Sequence, residues 1–545
     1  MAAVTLAGPA SAGVRHRPWP ALAVLCVAVL MVNLDNTILN VALPTLVLRL
    51  NASTDQLQWI VDAYAMVFGG TLLVDGSLAD RYGRKRLFIT GLVIFGGGSL
   101  GAAFAGGVDP LIAWRAVMGA GAAMTIPSGL SIVNDLFRHP TRRAKAVGIW
   151  SGTVGLGIAV GPVAGGLLLT HFWWGSVFLV NIPVVVAGIV GTALLVPESR
   201  NQATRRPDPV GALLTMTGLG LVLWAIIEGP DHGWHSPGVL GAGVAGLIVI
   251  AGFVTWESHS DHPMLPLWFF RSRRFSVALI AVALGVFALL GGLFIQTQFL
   301  QFGLGYSPLG AGLRILPIAG VLAAGALNSA WIVRRIGTKF TAAAGLLLVT
   351  TGLAQIATVT SVTTTYALVL PGMLLMGLGA GLLIPSVTDS VLGALTQDDA
   401  GVGSAMNSTA IQVGGALGVA VVGSVLSTRY QHTLEPALAA HHVPHVAAQA
   451  ILGSLGGALA VARIAGGSLG VALAQLAREG FMLGSRSAFI VSAGVTGVGV
   501  VVVVAALPSR PPAEEPDPSP PPADGSVPVP EEASRGELPG RTDQG

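Results

Sequence analysis

Three ionisable side chains stand inside long apolar runs of the sequence and are the strongest candidates for chemistry. They are Asp35, which has three asparagines within five residues, Asp62 and Arg115. Burial in an apolar medium raises the pKa of a carboxyl group, whereas a nearby guanidinium lowers it. A carboxyl group under both influences can take up and release protons near neutral pH. The pattern predicts proton coupling by these three residues, with Asp35 as the proton carrier.

The same residues also have simpler interpretations. Asp35 and Arg115 can form a purely structural ion pair, and Asp62, early in its apolar run, can be a solvated residue near a helix end. The proton-carrier hypothesis is favoured for Asp35, because an ionisable group in hydrocarbon is costly unless it is paired or hydrated. For Asp62 the two interpretations stay open.

The composition indicates that the chain is embedded in a membrane. Of its 545 residues, 52% are apolar and 10% are charged, and the mean hydropathy is +0.73. Soluble domains contain about 25% charged residues. A soluble chain of this composition would lack the polar groups to cover its surface, so we expect an exterior that faces lipid.

Charge placement and cysteine content exclude other classes. The formal net charge is +3, but the basic residues lie in short loops between apolar runs, which is typical of membrane topology and not of a nucleic-acid surface. The single cysteine, Cys26, excludes an internal disulfide and a multi-cysteine metal site. No cofactor, metal or nucleic-acid partner is predicted.

Fourteen segments are long and apolar enough to cross a bilayer, which takes roughly 20 residues. The first is expected to be a retained helix, because no small-residue cleavage site follows it. Twelve spans are the alternative, with 208–256 as the doubtful pair. The predicted spans are 19–41, 57–78, 87–106, 110–133, 144–169, 173–196, 208–227, 238–256, 275–299, 309–332, 340–359, 366–388, 400–427 and 485–507.

Basic residues predict the orientation in the membrane. Arg and Lys concentrate in cytoplasmic loops, and most of the 29 in this chain lie in the termini or in loops after even-numbered spans. Both termini are therefore predicted to be cytoplasmic, in a plasma membrane. The scarcity of lysine beside arginine, with abundant Ala, Gly and Val, indicates a bacterial source.

Two segments differ from the spans. Residues 508–545 are rich in proline and acidic residues, which predicts a disordered cytoplasmic tail. Residues 428–484 form the longest predicted loop, external on this topology, and the composition of 446–476 permits helices lying against the membrane. Three histidines cluster there, and a flexible solvated loop is favoured over a metal site for His441, His442 and His445.

Two short motifs recur at nearly equal offsets and indicate an internal duplication. RYGRK at 81–85 recurs as RIGTK at 335–339, and MGAG at 118–121 recurs as MGLG at 376–379, so the offsets are 254 and 258. Transporters are often built from duplicated halves. The predicted organisation is a cytoplasmic segment 1–18, a six-helix bundle 19–196, a linker with two inserted helices 197–256, and a second six-helix bundle 257–507.

Three motifs resemble those of the major facilitator superfamily and, within it, the fourteen-helix drug:proton antiporters of the EmrB/QacA type. They are GSLADRYGRKR at 76–86, LDNTILNVALP at 34–44 and GIAVGPVAGG at 157–166. The resemblance covers most of 19–507. It implies an all-α polytopic membrane protein with the major facilitator fold, two six-helix bundles plus two inserted helices.

The first motif implies conformational gating in the loop between spans 2 and 3. Its glycines permit a tight turn, and its aspartate can accept hydrogen bonds from arginines or from a helix N-terminus. The alternative is that its basic residues are only topology anchors; we expect both roles, with the aspartate favouring gating. The residues concerned are Gly76, Asp80, Arg81, Gly83, Arg84 and Lys85.

The third motif implies an antiporter and comprises Gly157, Gly161, Pro162, Gly165 and Gly166. Glycines at intervals of four line one face of a helix and allow close approach of a neighbour. Pro162 removes one backbone hydrogen bond and favours a kink. Static packing and a hinge or seal against proton leakage are equally favoured interpretations.

The second half of the chain has no acid in its predicted spans, which argues against a dedicated cation specificity. Neutral polar side chains stand there among Phe and Leu and suit an uncharged or weakly basic lipophilic substrate. Hydrogen bonds between helices explain them equally well. These side chains are Gln296, Gln298, Gln301, Asn328, Asn407 and Gln412.

The sequence therefore predicts proton-coupled efflux of small lipophilic compounds, such as drugs and antibiotics, by alternating access. The expected partners are the substrate, protons and the lipid bilayer, and the oligomeric state is open, a monomer included. A transporter of an endogenous metabolite, lipid or ion in the same scaffold is the alternative. A membrane enzyme or receptor is disfavoured, because no HExxH or Walker motif occurs.

Overall fold

The structure, a computed structural model, describes residues 18–137, 139–199, 207–260, 265–395, 400–441 and 443–508. The side chains of Leu73, Asp80 and Ala400 are outside this description. The predicted N-terminal segment, apart from Pro18, and the predicted tail, apart from Pro508, lie outside the described residues.

The regular structure of the described residues is helical. A 3₁₀ helix, Leu267–Arg271, precedes α11, and a π-helix, Phe299–Gly303, follows it. The α-helices are α1 (Pro18–Leu50), α2 (Thr54–Tyr82), α3 (Arg84–Ala103), α4 (Val108–Leu136), α5 (Pro140–His171), α6 (Ser176–Leu179), α7 (Asn181–Leu195), α8 (Pro209–Ile227), α9 (Gly229–His232), α10 (Pro237–His259), α11 (Arg273–Gln298), α12 (Pro308–Val359), α13 (Tyr366–Leu392), α14 (Ala400–Ala440), α15 (His445–Gly453), α16 (Leu455–Ala465) and α17 (Gly467–Ala506).

Several helices begin at a capping side chain followed by proline. Asp208 accepts hydrogen bonds from the backbone nitrogens of Val210 and Gly211, and the Ser307 hydroxyl accepts one from Gly310 at 3.1 Å. Proline fits the first helical position, because its missing N–H has no partner there in any case. These caps set the starts of α8 and α12.

Twelve helices in the described ranges are long and apolar enough to cross a membrane. The predicted span 57–78 belongs to α2, which carries three aspartates with described side chains and is not among the twelve. The predicted spans 309–332 and 340–359 lie within the 52 residues of α12, interrupted at Gly337, whose φ of 84° and ψ of 160° are not helical. All-helical architecture with many membrane spans is confirmed, and the count by length and apolarity is twelve.

Several helices extend beyond the predicted spans. The segment predicted as the longest loop, 428–484, is mostly helical where it is described: α14 continues to Ala440, α15 and α16 follow, and α17 begins at Gly467. The predicted span 366–388 contains no acid, but helix α13 continues past it and includes Asp389. The absence of acids predicted for the second-half spans therefore does not hold for whole helices.

Two ends of the helix bundle serve as reference points. The Asn51 end is where α1 passes into α2, and the Gly83 end is where α2 passes into α3. Helices α1–α7 are called the first half, α8–α10 the inserted helices, and α11–α17 the second half.

The same close helix crossing occurs in both halves. A methyl group at Gly91 would lie 2.7 Å from the carbonyl oxygen of Gly121, and one at Gly345 would lie 2.8 Å from that of Gly379. Gly345 and Gly379 follow Gly91 and Gly121 by the offsets 254 and 258 of the two sequence repeats. Small residues of this kind let helix backbones approach closely in a membrane.

We predict that Gly121→Ala lowers the stability of the protein while Gly97→Ala does not. A methyl group at Gly121 would lie 2.5 Å from the backbone nitrogen of Phe95, whereas one at Gly97 meets nothing within 4 Å. Overpacking of this kind costs about 1–3 kcal/mol. Thermal unfolding of the purified protein in detergent measures the difference, and equal melting temperatures for the two variants would contradict the crossing.

Candidate functional site

A buried ion pair joins α1 and α4. The Arg115 guanidinium is 0% exposed and the Asp35 side chain 1%, and Arg115 Nη1 lies 2.6 Å from Asp35 Oδ2. Arg115 also donates through Nε to the carbonyl oxygen of Ile60 at 3.1 Å and through Nη2 to Asn36 Oδ1 at 3.3 Å. The Tyr64 ring covers the guanidinium, with its centroid 4.4 Å from Cζ. Arg115 therefore ties α4 to both α1 and α2.

The second oxygen of Asp35 is held by α7. Asn181 Nδ2 donates to Asp35 Oδ1 at 2.8 Å and also to the Ser99 hydroxyl at 3.1 Å. Sequence reasoning missed Asn181, although it is the single polar side chain in the apolar run 177–191. Each oxygen of the Asp35 carboxylate therefore accepts a hydrogen bond inside the protein, one from a charged donor and one from an amide.

Asp62 is buried but does not join this pair. Its side chain is 0% exposed, and neither of its carboxyl oxygens has a hydrogen-bond partner among the described residues. It lies on α2 between Ile60 and Tyr64, the two residues of that helix that contact Arg115. The structure thus brings Asp35 and Arg115 together, and it buries Asp62 nearby with no direct bond to either.

The loop motif between α2 and α3 lies at the Gly83 end. Gly83 has φ of 109°, a conformation that favours glycine. Beyond it, Arg84 Nη1 lies 2.6 Å from Asp135 Oδ2 of α4, and Lys85 Nζ donates to the carbonyl oxygen of Ala193 at 2.7 Å. The loop is therefore bound to α4 and to the end of α7.

Other members of this motif contribute less to these contacts. Arg81 is exposed and lies over the Tyr82 ring at 5.6 Å, and a methyl group at Gly76 would meet nothing within 4 Å. Glu198, which sequence reasoning missed, accepts a hydrogen bond from the backbone nitrogen of Lys85 at 3.2 Å. The side chain of Asp80 lies outside the described part, and its gating role stays a prediction.

The glycine motif of α5 contacts neighbouring helices on two faces. Gly157, Gly161 and Gly165 face α1: a methyl group at Gly161 would collide with Thr37, whose hydroxyl donates to the carbonyl oxygen of Gly157 at 3.1 Å. A methyl group at Gly166, in contrast, would lie 2.6 Å from the Cα of Leu309 on α12.

Pro162 also lies on the second of these faces. A methyl group at Gly312 of α12 would lie 2.2 Å from the Pro162 carbonyl oxygen. The sequence predicted one glycine-lined face toward a neighbour; the structure adds a second, which lies between the two halves.

A small cavity lies between α1 and α5 of the first half and α11 and α12 of the second. Its volume is about 30 Å³, whereas sites for drug-sized ligands have roughly 300–1,000 Å³. Most of its lining is aliphatic, with Thr37, Asn40 and Thr297 as polar members. This cavity is too small for a drug-sized ligand.

The polar side chains nominated in the second half do not line this cavity. Gln301 Nε2 donates across the halves to the carbonyl oxygen of Val41 at 2.9 Å, and Gln296 Nε2 donates to the Met373 sulfur at 3.3 Å. Asn407 donates to the Thr388 hydroxyl at 3.3 Å. For these residues the geometry favours hydrogen bonds between or within helices over substrate contacts.

Comparisons with known proteins identify the family. The family model of the Major Facilitator Superfamily matches residues 25–419. The chain is 32% identical over 521 residues to the tetracenomycin C resistance and export protein of Streptomyces glaucescens, covering 94% of this chain and 96% of that protein. It is 33% identical over 496 residues to the multidrug efflux pump LfrA of Mycolicibacterium smegmatis, covering 91% and 97%.

A solved structure shares the fold. It is a bacterial homolog of the human lysosomal transporter Spinster in an inward-facing and occupied conformation, with a TM-score of 0.64 at 17% identity and coverage of 92% of this chain and 98% of that one. The chain belongs to the Major Facilitator Superfamily, which confirms the predicted family. It is a multi-pass membrane transporter whose matched relatives are bacterial resistance and efflux proteins.

We predict that Arg115→Met is strongly destabilising and that Asp35→Asn in the same chain restores most of the loss. Removing one partner of a buried ion pair leaves an uncompensated charge, at a cost of about 3–5 kcal/mol, whereas removing both charges avoids it. Unfolding of the two single variants and the double variant in mixed micelles gives the coupling free energy. Additive effects would show that the pair carries no mutual stabilisation.

Proposed function

We propose that this protein exports small lipophilic compounds, such as drugs or antibiotics, in exchange for protons, by alternating access between its two halves. The observation that carries the proposal is the fully buried Asp35–Arg115 pair beside the buried Asp62, whose carboxyl oxygens have no hydrogen-bond partner among the described residues. The names of its relatives support the substrate class: one is a resistance and export protein, another a multidrug efflux pump.

The proposed architecture has fourteen spans. The twelve apolar helices are joined by α2, and α12 counts twice because Gly337 interrupts it. The proposed domains are the two six-helix bundles 19–196 and 257–507, with the linker and two inserted helices 197–256 between them. Both termini and the Gly83 end face the cytoplasm, as the basic residues indicate.

The proposed proton coupling depends on the hydrogen bonds by which Arg115 connects α4 to α1 and α2. Ionised Asp35 makes a charge-assisted hydrogen bond with Arg115, and protonation of the carboxylate removes its charge and weakens that bond. Because Arg115 also binds the carbonyl oxygen of Ile60, its release loosens the contacts among α1, α2 and α4. Proton uptake at one site thereby changes the shape of the first half.

Asp62 is proposed as a second proton site. A buried carboxyl group with no hydrogen-bond partner is least costly in its neutral, protonated form. Ionisation of Asp62 requires water or the Arg115 guanidinium to reach it, and α2 carries both Asp62 and the carbonyl that binds Arg115. Exchange of Arg115 between the two carboxyl groups is the proposed link between proton movement and helix movement.

Alternating access is supported by where the halves touch. Gln58 of α2 donates to the carbonyl oxygen of Ala420 on α14 at 2.6 Å, and Gln301 reaches Val41 at 2.9 Å. Thr54 donates to the carbonyl oxygen of Gly453 at 3.0 Å. All three contacts lie toward the Asn51 end. Because the cavity between α1, α5, α11 and α12 is too small for a drug-sized ligand, substrate passage there requires these contacts to open.

The cavity lining supports an uncharged or weakly basic lipophilic substrate. It is mainly aliphatic and contains no ionisable side chain among its described members. Apolar pockets with a few polar groups bind ligands of that character. Transport of an endogenous metabolite, lipid or ion in the same scaffold is the alternative function, and it is distinguished by which compounds move under an imposed pH gradient.

We predict that Asp35→Asn abolishes gradient-driven transport. Asparagine retains the shape and the hydrogen-bond acceptor of aspartate but cannot exchange a proton. Uptake of drug into everted vesicles under a pH gradient should therefore fall at least about tenfold, a change that corresponds to about 1.4 kcal/mol. Asp109→Asn, at an exposed carboxylate on the same helix as Arg115, is the matched control and should leave transport unchanged.

Two outcomes would count against the proposal, and a third would indicate a defect common to both variants. Full pumping by Asp35→Asn would contradict proton coupling through Asp35. Loss of pumping in both variants would point to a general defect and is checked by thermal unfolding. Gradient-driven movement of metabolites but of no drug by the native protein would favour the alternative substrate class.

A further inference from the structure

The inserted helices lie along the line where the two halves meet. Helix α8 packs against α2 of the first half and α14 of the second, and α10 packs mainly on α8. The short helix α9, just after α8, lies at the Asn51 end, where the contacts between the halves concentrate. A movement that separates α2 from α14 at this end must therefore also separate the inserted helices from one of them.

The attachment to the second half uses one face of α14. The Ser424 hydroxyl donates to the carbonyl oxygen of Ile226 at 2.6 Å, and Thr428 accepts a hydrogen bond from the Trp234 indole at 3.2 Å. Gln431 donates to the Asp231 carboxylate. The three α14 residues are spaced four and three apart, the spacing of a single helical face.

The attachment to the first half has one hydrogen bond of this kind in the described residues. Trp59 Nε1 of α2 donates to Glu228 Oε1 at 3.1 Å. The preceding residue, Gln58, is completely buried and donates to the carbonyl oxygens of Val419 at 3.2 Å and Ala420 at 2.6 Å on α14. Of these two adjacent residues of α2, Trp59 thus binds the inserted helices and Gln58 binds α14.

We propose that the inserted helices move with α14, and that the contact of Trp59 with Glu228, beside that of Gln58 with α14, is a latch that keeps the Asn51 end closed. The proposal rests on the alternating access of the proposed function. It assigns Trp59, Gln58 and Glu228 a positioning role. The inserted helices then serve to fasten the release side of the transporter.

Because α8 packs against both α2 and α14, we expect the unequal hydrogen bonding to decide which contact opens. Among the described residues, three hydrogen bonds hold the inserted helices to α14, and one holds them to α2. When α2 and α14 part, breaking the single bond of Trp59 with Glu228 costs less than breaking three. The inserted helices therefore stay with the second half, and the gap forms along α2.

The latch is expected to respond to acid on its own side. Burial raises the pKa of the Glu228 carboxyl above its ordinary value; Asp55 on α2 and Asp231 on α9 act in the same direction, and the Trp59 hydrogen bond and His232 oppose it. His232 Nδ1 lies 3.3 Å from Glu228 Oε2. An opened latch exposes Glu228 to water, so the closed state binds its proton more tightly and is favoured as pH falls.

Distances between spin labels test which parts move together. In a Cys26→Ala background, labels are placed in pairs at three exposed positions of the Asn51 end: Phe104 in the first half, His235 in the inserted helices and Val362 in the second half. Opening should lengthen the distances from 104 to 235 and from 104 to 362 and leave that from 235 to 362 unchanged. A change from 235 to 362 with a constant distance from 104 to 235 would overturn the proposal.

Removing the donor tests the latch itself. Trp59→Phe keeps an aromatic ring and removes the indole N–H, so the ratio of open to closed protein should rise about tenfold, the effect of a lost hydrogen bond to a charged group. Trp114→Phe, at a half-exposed tryptophan near the same end, is the matched control and should not change the ratio. An unchanged ratio in folded Trp59→Phe would exclude the latch.

Neutralising the acceptor tests the pH dependence. In the native protein, lowering the pH from neutral toward about 4, the ordinary carboxyl value, should reduce the open fraction. Glu228→Gln resembles the protonated residue and should remain closed with a flatter pH response, whereas Glu435→Gln, at an exposed carboxylate farther along α14, should behave as the native protein. A native-like pH response in Glu228→Gln would contradict this part.

The measurements of distance and of the open fraction are made on purified protein in nanodiscs without drug, separately from the transport assay in everted vesicles. A native protein that opens and closes as described but moves no drug under a pH gradient would overturn the proposed export and leave the latch standing. A protein that pumps drugs normally while Trp59→Phe leaves every distance unchanged would overturn the latch and leave the export standing.

Discussion

The burial of one guanidinium in the first half constrains everything around it. Arg115 has no contact with solvent, so each of its donors must be matched by the protein, and the matching groups come from the Asp35 carboxylate, the Asn36 amide and the Ile60 carbonyl on two other helices. A charge in hydrocarbon has few favourable arrangements. The relative positions of α1, α2 and α4 are therefore tied to the pairing of Arg115 with Asp35. In the proposed mechanism, protonation of Asp35 changes this pairing and so moves helices as well as a side chain.

The small space between the halves explains why a change in helix positions matters for transport. Hydrogen bonds join the halves toward the Asn51 end, and the cavity between α1, α5, α11 and α12, about 30 Å³ in volume, is too small for a drug-sized ligand. In the proposed mechanism, substrate binding and release therefore depend on movements of whole halves. The contacts that resist these movements, at Gln58, Gln301 and the inserted helices, are hydrogen bonds to backbone carbonyls and side chains, which can be broken and remade without unpacking a core.

Much of this arrangement could be predicted from the sequence, and the residues show why the rest could not. Apolar runs of adequate length, basic loops and three motifs were sufficient for the all-helical membrane fold and the family. The pairing of Asp35 with Arg115 was foreseen because a lone charge in lipid needs a partner. Asn181 was missed because one amide in an apolar run gives no indication of its direction. The contact of Glu228 with Trp59 could not be predicted, because it depends on how α8 packs against α2. Helix ends were also misjudged: α14 and α17 extend past the apolar stretches, and α17 packs against both α14 and α16.

The two bare faces of α5 have a mechanical consequence. Where large side chains interdigitate, helices must unmesh before they can slide, and that loss of contact creates an energy barrier to motion. Along α5, close contacts toward α1 and α12 are made at glycines, with Gly161 against Thr37 on one side and Gly166 against Leu309 on the other. Because α5 has no side chain of its own to withdraw at these positions, we expect a lower energy barrier to its sliding against α1 and α12 in the proposed mechanism.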